Sequence, residues 1–255
     1  MPQEDFVRLL GERLRAGGRI TVLTGAGVSA ASGIPTFRGP GGLWRNFRPE
    51  DLATPEAFAR DPRLVWEWYA WRRRLVAAAA PNRAHEVLAA WSHRYPGFTL
   101  ITQNVDGLHE RAGTANVIRF HGSLWDLACR DRCPGARAPW REEAIDLPEL
   151  PPRCPHCGGV ARPGVVWFGE PLDPEVVAAA AAATDCDVFL AVGTSAIVYP
   201  AAALLTEAAA RGALTVEINP EATPASGSVD LALSGRAEEV LDRVERGLTS
   251  GPFRV

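Results

Sequence analysis

Lysine is absent from this chain: all 27 of its basic residues are arginine. A compositional bias of the genome explains this most simply, but the chain cannot carry a modification on a lysine of its own. An excess of one charge is also missing. A net charge of −3 gives no electrostatic reason to expect nucleic acid or a membrane surface as a partner. Long apolar runs are missing too, because the alanine-rich stretches at 77–80 and 178–183 are too short to span a bilayer.

The first residues lack a basic region followed by an apolar stretch, so we expect no secretory signal. We therefore expect a cytoplasmic protein with reduced cysteines. At 255 residues, the length suits one α/β domain or one domain with a small insertion.

Five short β-branched runs predict strands, and amphipathic stretches between most of them predict helices. The strands are expected at 20–24, 98–102, 117–120, 188–192 and 214–218, with helices at 83–91, 174–183 and 200–211. Near-continuous apolar strands that alternate with helices indicate a parallel sheet covered on both faces. Two stretches fall outside this pattern: 40–81, rich in Trp and Arg, and 122–165, rich in Cys and Pro. We expect a Rossmann-like part (1–39, 82–121 and 166–247) and a smaller lobe from the two insertions, one helical and one zinc-binding.

A glycine-rich turn follows the first predicted strand, with Gly25, Gly27, Gly33 and Gly39 within fifteen residues. Glycine lets the backbone approach a pyrophosphate closely, and a helix N-terminus supplies unpaired N–H donors. An ordinary dinucleotide fingerprint would continue into a full helix and a second strand with an acid about 20 residues on. Here the later glycines and prolines predict a loop beside the phosphates, where chemistry on the nucleotide could occur.

Four cysteines form two close pairs, Cys129 with Cys133 and Cys154 with Cys157, separated by 20 residues. This spacing predicts a tetrahedral zinc site, and four protein ligands would make it structural rather than catalytic. Two disulfides are the alternative, disfavoured without a secretory signal. His156 is interpreted as a bystander, and Cys186 as a buried small apolar residue.

Polar side chains follow two predicted strands, at positions where a parallel sheet delivers functional groups. Asn104 and Asp106 follow the second strand, and His121 follows the third. A neutral imidazole can take a proton from a ribose hydroxyl near pH 7, and the amide and carboxylate suit a carboxamide and a developing ribose cation. Any single histidine is more often structural; His85 is assigned to structure and His93 to the surface.

Tyr69 and Arg72 are three residues apart in an aromatic, Arg-rich stretch, so on a helix they share a face. A phenol and a guanidinium there could bind a carboxylate. On spacing alone, an aromatic stripe packed on the core with a solvated Arg edge is the more common outcome.

These motifs, in this order, resemble the sirtuins, NAD-dependent protein lysine deacylases, over nearly the whole length. The matching segments are Gly25–Gly39, Gln103–Asp106, Phe120–Gly122, the cysteine pairs, Val165–Glu170, Gly193–Ser195 and Glu217–Asn219. The resemblance implies one catalytic domain over 1–255 that consumes NAD, holds one structural Zn²⁺, and releases nicotinamide and O-acyl-ADP-ribose.

The same resemblance implies a role for each matching residue. His121 would be the general base, with Asn104 and Asp106 also at the catalytic centre. The pyrophosphate, ribose, nicotinamide and adenine contacts implied are Gly25, Ala26, Gly27, Ser29, Thr36, Phe37, Arg38, Trp44, Gln103, Asn104, Val105, Asp106, His121, Gly193, Thr194, Ser195, Asn219, Pro220, Glu221 and Ala237. The acyl-lysine protein or peptide would add as a strand along Val166, Trp167 and Phe168, in the manner of β-augmentation.

Tyr-x-x-Arg at this place marks the sirtuin branch that removes succinyl, malonyl and glutaryl groups. Thr36 agrees with that branch, whereas Ala31 and Gly164 depart from the family pattern. The resemblance therefore implies a dual deacylase that prefers acidic acyl groups. A mono-ADP-ribosyltransferase using the same NAD site is the main alternative. A hydride-transferring dehydrogenase and a non-catalytic zinc-bearing module are more distant ones, and the sequence leaves the oligomeric state open.

Overall fold

The structure is a computed structural model that describes residues 3–36 and 48–249. In these ranges the strands are, in chain order, β1 (Ile20–Thr24), β2 (Phe98–Thr102), β3 (Val117–Arg119), β4 (Gly122–Cys129), β5 (Trp140–Arg141), β6 (Ala161–Val165), β7 (Val188–Val192), β8 (Leu214–Asn219) and β9 (Leu231–Ser234). The helices are α1 (Gln3–Arg15), α2 (Pro49–Leu52), α3 (Pro55–Arg60), α4 (Pro62–Ala78), α5 (Arg83–Arg94), α6 (Leu108–Arg111), α7 (Pro174–Ala182), α8 (Ala201–Ala210) and α9 (Ala237–Thr249), with a 3₁₀ helix over Ala26–Ser32.

Six strands form one parallel sheet in the order β3-β2-β1-β7-β8-β9. The three strands β1, β2 and β7 begin and end where the sequence predicts them. All five residues of β1 are buried, because both faces of a parallel sheet are covered by helices. The prediction of a covered parallel sheet is confirmed.

Alternate residues of the central strands enter two different apolar cores. Val22, Leu100 and Leu190 belong to a cluster under α1, α5 and α9. Their neighbours Leu23, Ile101 and Ala191 belong to a second cluster that includes residues of α7 and α8. The period of two places one core on each face of the sheet.

A second, antiparallel sheet in the order β5-β4-β6 lies outside the parallel one. Its side chains share a third apolar cluster with α3 and α4, in which Trp66, Phe58 and Leu127 are all buried. The Trp66 indole also donates to the Ala161 carbonyl at 2.9 Å, which fastens α4 to β6.

None of the helices in the described part of the chain is both long and apolar enough to cross a lipid bilayer. Four of the described helices, α3, α4, α5 and α7, begin with a side-chain cap. Asp61 caps α4 by accepting from the Leu64 N–H at 3.0 Å, and Pro62 follows at the first helical position.

Candidate active site

The carboxyl ends of the parallel strands open into a cavity of about 720 Å³ whose opposite wall comes from α4 and the segment after β6. Many of the predicted site residues line this cavity. They are Gly25, Ala26, Thr36, Gln103, Asn104, Val105, His121, Thr194, Ser195 and Asn219 on the sheet side, and Tyr69, Arg72, Val166, Trp167 and Phe168 on the other.

The loops after β1 and β7 approach each other so closely that only glycine fits. The Gly27 N–H donates to the Gly193 carbonyl at 2.9 Å. Gly193 has a φ of +59°, and a Cβ built on it would lie 2.6 Å from the Val28 nitrogen. The 3₁₀ helix that follows ends at Gly33, whose φ is +82°. This loop therefore presents backbone to the cavity, as a phosphate-binding turn requires.

The Gln103–Asp106 segment is fixed by polar contacts to that loop. The Asn104 amide donates to the Gly25 carbonyl at 3.0 Å and to the Ser29 hydroxyl at 3.2 Å. The Ser29 hydroxyl in turn donates to the Asp106 carboxylate at 2.8 Å. Burial raises the pKa of Asp106, against hydrogen bonds from the Leu108 N–H and Ser29 that lower it.

Beside these residues a much smaller pocket opens between the 3₁₀ helix and α4. Ser29, Asp106 and Arg72 all line it, with Ala26 and Asn104 shared with the main cavity. It offers amide, hydroxyl and carboxyl groups to a ligand within an apolar surround that includes Ile34 and Val76.

His121 lies between the two walls at the end of β3. Its Nδ1 contacts the Gln103 carbonyl oxygen at 3.2 Å. Because a carbonyl can only accept, Nδ1 carries the proton of the neutral ring, and Nε2 keeps its lone pair. Burial lowers the pKa of His121, with the Gln103 carbonyl opposing that change. The geometry gives a neutral imidazole that can accept a proton.

Two further histidines are buried beneath this site. His85 and His109 are 0% and 1% exposed, and their ring centroids are 4.8 Å apart. His109 Nε2 contacts the Thr24 hydroxyl at 3.0 Å, and Thr24 donates to Thr102 at 2.9 Å. Burial lowers the pKa of each ring to about 3, with the neighbouring His109 adding to the effect on His85. Both are therefore neutral at physiological pH. The structural assignment of His85 agrees with its place in the α5 capping box, where Nδ1 accepts from the Asn82 N–H.

Tyr69 and Arg72 lie on one face of α4 and are only 2% and 5% exposed. The Arg72 guanidinium carbon lies 4.7 Å from the Trp68 ring centroid and 5.4 Å from that of Tyr69. The Tyr69 hydroxyl accepts from the Trp167 indole at 3.0 Å. Burial lowers the pKa of Arg72, opposed by Tyr69 and Asp106. The predicted helix face is thus buried, but it faces the cavity rather than only the core.

Arg73, the next residue, is 0% exposed and has a different environment. Its guanidinium donates to the carbonyls of Leu124 and Glu142, each at 2.6 Å, and to that of Ala144. It also lies 4.9 Å from the Trp125 ring centroid. Arg73 therefore joins α4 to the second sheet.

The four paired cysteines come together at one end of that sheet. Their sulfur atoms lie within 4.8 Å of one another, with Cys129–Cys157 at 3.7 Å and Cys133–Cys154 at 3.8 Å. A tetrahedron with Zn–S bonds of about 2.3 Å has S–S edges of about 3.8 Å, so the residues fit a zinc ion. These four ligands would fill the coordination shell, and the ion would supply structural stability rather than chemistry. His156 is exposed and Cys186 is 5% exposed, as expected for a bystander and a buried apolar residue.

Comparison with known proteins identifies the family. Residues 25–200 match the model of the Sir2 family. The chain belongs to the Sir2 family. It is 51% identical over 226 residues to an NAD-dependent protein deacylase of Aquifex aeolicus, which covers 88% of this chain and 93% of that protein. It is 47% identical to NAD-dependent protein deacylase 1 of Pseudomonas aeruginosa, over 94% of this chain and 98% of that protein.

Solved Sir2 structures agree with this assignment. The crystal structure of a Sir2 homolog–NAD complex superposes with a TM-score of 0.87 at 45% identity and covers 98% of this chain and 95% of that one. A Sir2 complex with a deacetylated p53 peptide and 3′-O-acetyl ADP ribose gives a TM-score of 0.79 at 29% identity, over 96% of this chain and 98% of that one. The chain is thus an NAD-dependent protein deacylase, and the predicted fold, enzyme class and NAD dependence are confirmed.

The described cavity accounts for only part of the predicted Sir2 site. Phe37, Arg38 and Trp44 are outside the described residues, as is Gly39. Pro220 and Glu221 are exposed beyond the end of β8 and do not line the described cavity. Ala237 begins α9 with its side chain buried in an apolar core. Their contacts with the cofactor stay predictions.

Several residues that line the cavity were not among the predicted site contacts. They are Ala53, Trp68, Val165, Gly169, Glu170, Pro171, Leu172, Val177, Val198, Tyr199 and Pro200. Val165, Gly169 and Glu170 lie within a matched Sir2 segment and most of the others lie near one, so proximity to those motifs was the available signal. Ala53 is less obvious: its carbonyl accepts from the Phe168 N–H at 3.0 Å and so ties the segment after β6 to the loop after α2.

Proposed function

We propose that this Sir2-family deacylase removes acidic acyl groups, succinyl and malonyl, from lysine in preference to acetyl. The observation that carries the proposal is the position of Tyr69 and Arg72 in the same cavity as His121. The acyl chain of a lysine whose amide reaches His121 extends towards the α4 wall, where its carboxylate meets these two side chains.

The chemistry of that wall supports an anion. A guanidinium is an obligate donor, and it forms charge-assisted, bidentate bonds with carboxylates. Trp68 and Tyr69 surround Arg72 with aromatic surface, which lowers the local dielectric and strengthens each charge interaction. An acetyl group offers no charge there and leaves the guanidinium without this partner.

His121 acts as the general base of the reaction. Its Nε2 lone pair takes a proton from a ribose hydroxyl of NAD, after the acyl oxygen has attacked the anomeric carbon and nicotinamide has left. Its lowered pKa supports this role, because the ring is neutral at physiological pH. The Gln103 carbonyl holds the ring in the tautomer that the step requires.

The remaining predicted residues position NAD and exclude water. Asn104, Val105 and Asp106 bind the nicotinamide carboxamide, and Ser29 orients Asp106. The backbone of Gly25–Gly27 and Gly193–Ser195 holds the pyrophosphate, and Gln103 lies beside the nicotinamide ribose. A developing oxocarbenium centre needs this shielded site, since water would otherwise capture it.

The peptide adds as a strand between the segment after β6 and the loop after Gly193. The Val166 N–H already donates to the His121 carbonyl at 3.0 Å, and the Trp167 N–H to the Glu170 carboxylate at 2.9 Å. The peptide therefore supplies N–H donors to the carbonyls of this segment. Main-chain bonds of this kind recognise no side chain, so selectivity comes from the acyl group rather than from flanking sequence.

In this proposal the chain works as one catalytic domain of two lobes. The Rossmann-like part covers 1–39, 82–121 and 166–247, and the smaller lobe comprises 40–81 and 122–165. The apolar cluster shared by α3, α4 and the second sheet supports the smaller lobe as one unit.

An acyl-panel assay tests the proposal. Peptides carrying succinyl-, malonyl- or acetyl-lysine are incubated with the enzyme and NAD, and nicotinamide release and product masses are measured. We expect kcat/KM to be highest for the acidic acyl groups, with O-acyl-ADP-ribose as the product. Equal or higher kcat/KM on acetyl-lysine would overturn the preference, and an ADP-ribosylated peptide would indicate transferase chemistry instead.

The substitution Arg72→Met separates the charge from the packing of the side chain. We expect a loss of about 2–5 kcal/mol of transition-state binding for the succinyl peptide, as for a desolvated charge pair. The acetyl peptide should lose far less. Equal losses on both peptides would remove Arg72 from carboxylate recognition.

A further inference from the structure

Several contacts hold Trp167 in place at the cavity wall. Arg162 lies over it, with its guanidinium carbon 3.6 Å from the ring centroid. Arg162 pairs with Glu170, and the same Glu170 carboxylate accepts from the Trp167 backbone N–H at 2.9 Å. Burial would raise the pKa of Glu170, but the bonds from Arg162 and Trp167 outweigh it and leave the pKa lowered.

The Trp167 indole contacts Tyr69. The indole N–H can only donate, and it donates to the Tyr69 hydroxyl at 3.0 Å in a buried setting. The Arg72 guanidinium, which also can only donate, lies next to the phenol, with its carbon 5.4 Å from the Tyr69 ring centroid. A phenol oxygen has two acceptor sites and one proton. The indole N–H occupies one acceptor site and the neighbouring guanidinium has no acceptor, so the hydroxyl proton is left to donate to a third group.

Tyr69 lines the cavity, so that third group can be an acyl chain. We infer that Trp167, locked by the Arg162–Glu170 ion pair, is a positioning residue that fixes Tyr69 as a hydrogen-bond donor towards an acidic acyl group. The inference rests on the acyl preference proposed above and adds the residues that set its hydrogen-bond polarity. Trp167 thereby helps to select a carboxylate that it need not touch.

A double-mutant cycle of Trp167→Phe and Tyr69→Phe tests this role. Phenylalanine keeps an aromatic ring under Arg162 but removes the indole N–H. We expect Trp167→Phe to lower kcat/KM for the succinyl peptide about tenfold more than for the acetyl peptide, the usual effect of one hydrogen bond near a charge. In the Tyr69→Phe background the same change should produce no further selective loss, because there is no hydroxyl left to orient.

The matched control is Trp66→Phe. Trp66 also donates a buried indole hydrogen bond in the same lobe, at 2.9 Å, but to the Ala161 carbonyl rather than to a cavity residue. We expect this variant to lower the melting temperature while the ratio of kcat/KM values on succinyl and acetyl peptides stays unchanged. A change in that ratio would show that general loosening of the lobe produces the effect.

Glu170→Gln provides a second, independent arm and decides the case if Trp167→Phe fails to fold. Glutamine retains an oxygen for the Trp167 N–H but removes the charge that holds Arg162 over the ring. We expect a selective loss for the succinyl peptide of the same sign and about threefold, with a raised KM rather than a lowered kcat. Equal losses on both peptides would overturn the inference.

The outcomes also separate this inference from the proposed function. If Arg72→Met loses the preference for succinyl while Trp167→Phe does not, the acyl preference stands and the positioning role of Trp167 is wrong. If the wild-type enzyme shows no preference for acidic acyl groups, both are wrong.

Discussion

The two walls of the cavity are built by different means. On the sheet side, glycine backbone and short polar side chains follow the ends of parallel strands, as at Gly193, Asn104 and His121. On the α4 side, large buried side chains form the wall, and Tyr69 and Arg72 lie among aromatic rings. In the proposed function, the backbone of the sheet side binds NAD, which is the same whatever acyl group is removed. The side chains of α4 would recognise what differs between acyl groups, so the proposal assigns catalysis and acyl selectivity to opposite walls.

The largest expected effect is that of His121→Ala, which tests the proposed general base on the sheet side of the cavity. Removal of a general base costs about a hundredfold to ten-thousandfold in rate, and the loss should be equal on succinyl and acetyl peptides. Nicotinamide release measures it. The control His93→Ala removes an exposed ring and should retain activity. Retained deacylation in His121→Ala would exclude His121 as the base.

Arg73→Met tests whether two adjacent buried arginines have separate roles. Arg73 serves three backbone carbonyls, so its loss leaves buried acceptors unpaired and should lower the free energy of unfolding by about 3–5 kcal/mol. Urea denaturation gives this value. Arg74→Met is the matched control, since Arg74 is an exposed partner of Asp146 and should change stability by less than about 0.5 kcal/mol. A selective loss of desuccinylation in a stably folded Arg73→Met variant would contradict the assignment of separate roles to Arg72 and Arg73.

Gly193→Ala tests the backbone of the sheet side, where the pyrophosphate is proposed to bind. The new Cβ would meet the Val28 nitrogen at 2.6 Å, and the residue would keep a positive φ, at a cost of about 1–3 kcal/mol. We expect a higher KM for NAD with every acyl peptide. Gly113→Ala controls for backbone strain alone, because its φ is +85° but no atom lies within 4 Å of the new Cβ. Equal effects of the two variants on the KM for NAD would refute the close-approach argument.

The last prediction concerns stability alone and the histidines beneath the sheet-side wall. His85 and His109 have pKa values of about 3 when folded, against about 6.5 when unfolded. Between these values the unfolded chain binds more protons, so the free energy of unfolding should fall as pH drops from 6.5 towards 3. Each histidine contributes at most about 1.4 kcal/mol per pH unit.

Urea denaturation between pH 7.5 and pH 5 measures this slope. His109→Gln keeps a donor for the Thr24 hydroxyl but cannot titrate, and it should make the slope shallower. His93→Gln makes the same substitution at an exposed site and serves as the control. An identical slope in wild type and His109→Gln would show that folding does not lower the pKa of His109.

More of the sheet side of the cavity than of the α4 side could be predicted from the sequence. The strands β1, β2 and β7 follow from β-branched runs, because burial on both faces leaves little choice of residue. The polar residues after them could be found because parallel strands deliver their ends to one edge. The edge strand β9 has only four residues, alternately buried and exposed, and was not predicted.

The second sheet and the α4 side of the cavity depend on contacts between residues distant in sequence. β6 contains Pro163 and Gly164, which argue against a strand locally, yet it pairs with β4. The spacing of Tyr69 and Arg72 placed them on one face, but only tertiary packing turned that face towards His121. The bond from Trp167 to Tyr69 joins residues 98 apart, and no local pattern encodes it.

The most direct test of the division between the walls is the ratio of kcat/KM on succinyl-lysine and acetyl-lysine peptides, measured for wild type, Arg72→Met and Gly193→Ala. The account predicts a ratio above one for wild type, an unchanged ratio for Gly193→Ala despite its lower activity, and the loss of that preference in Arg72→Met. A ratio that changes equally in both variants, or in neither, would contradict it.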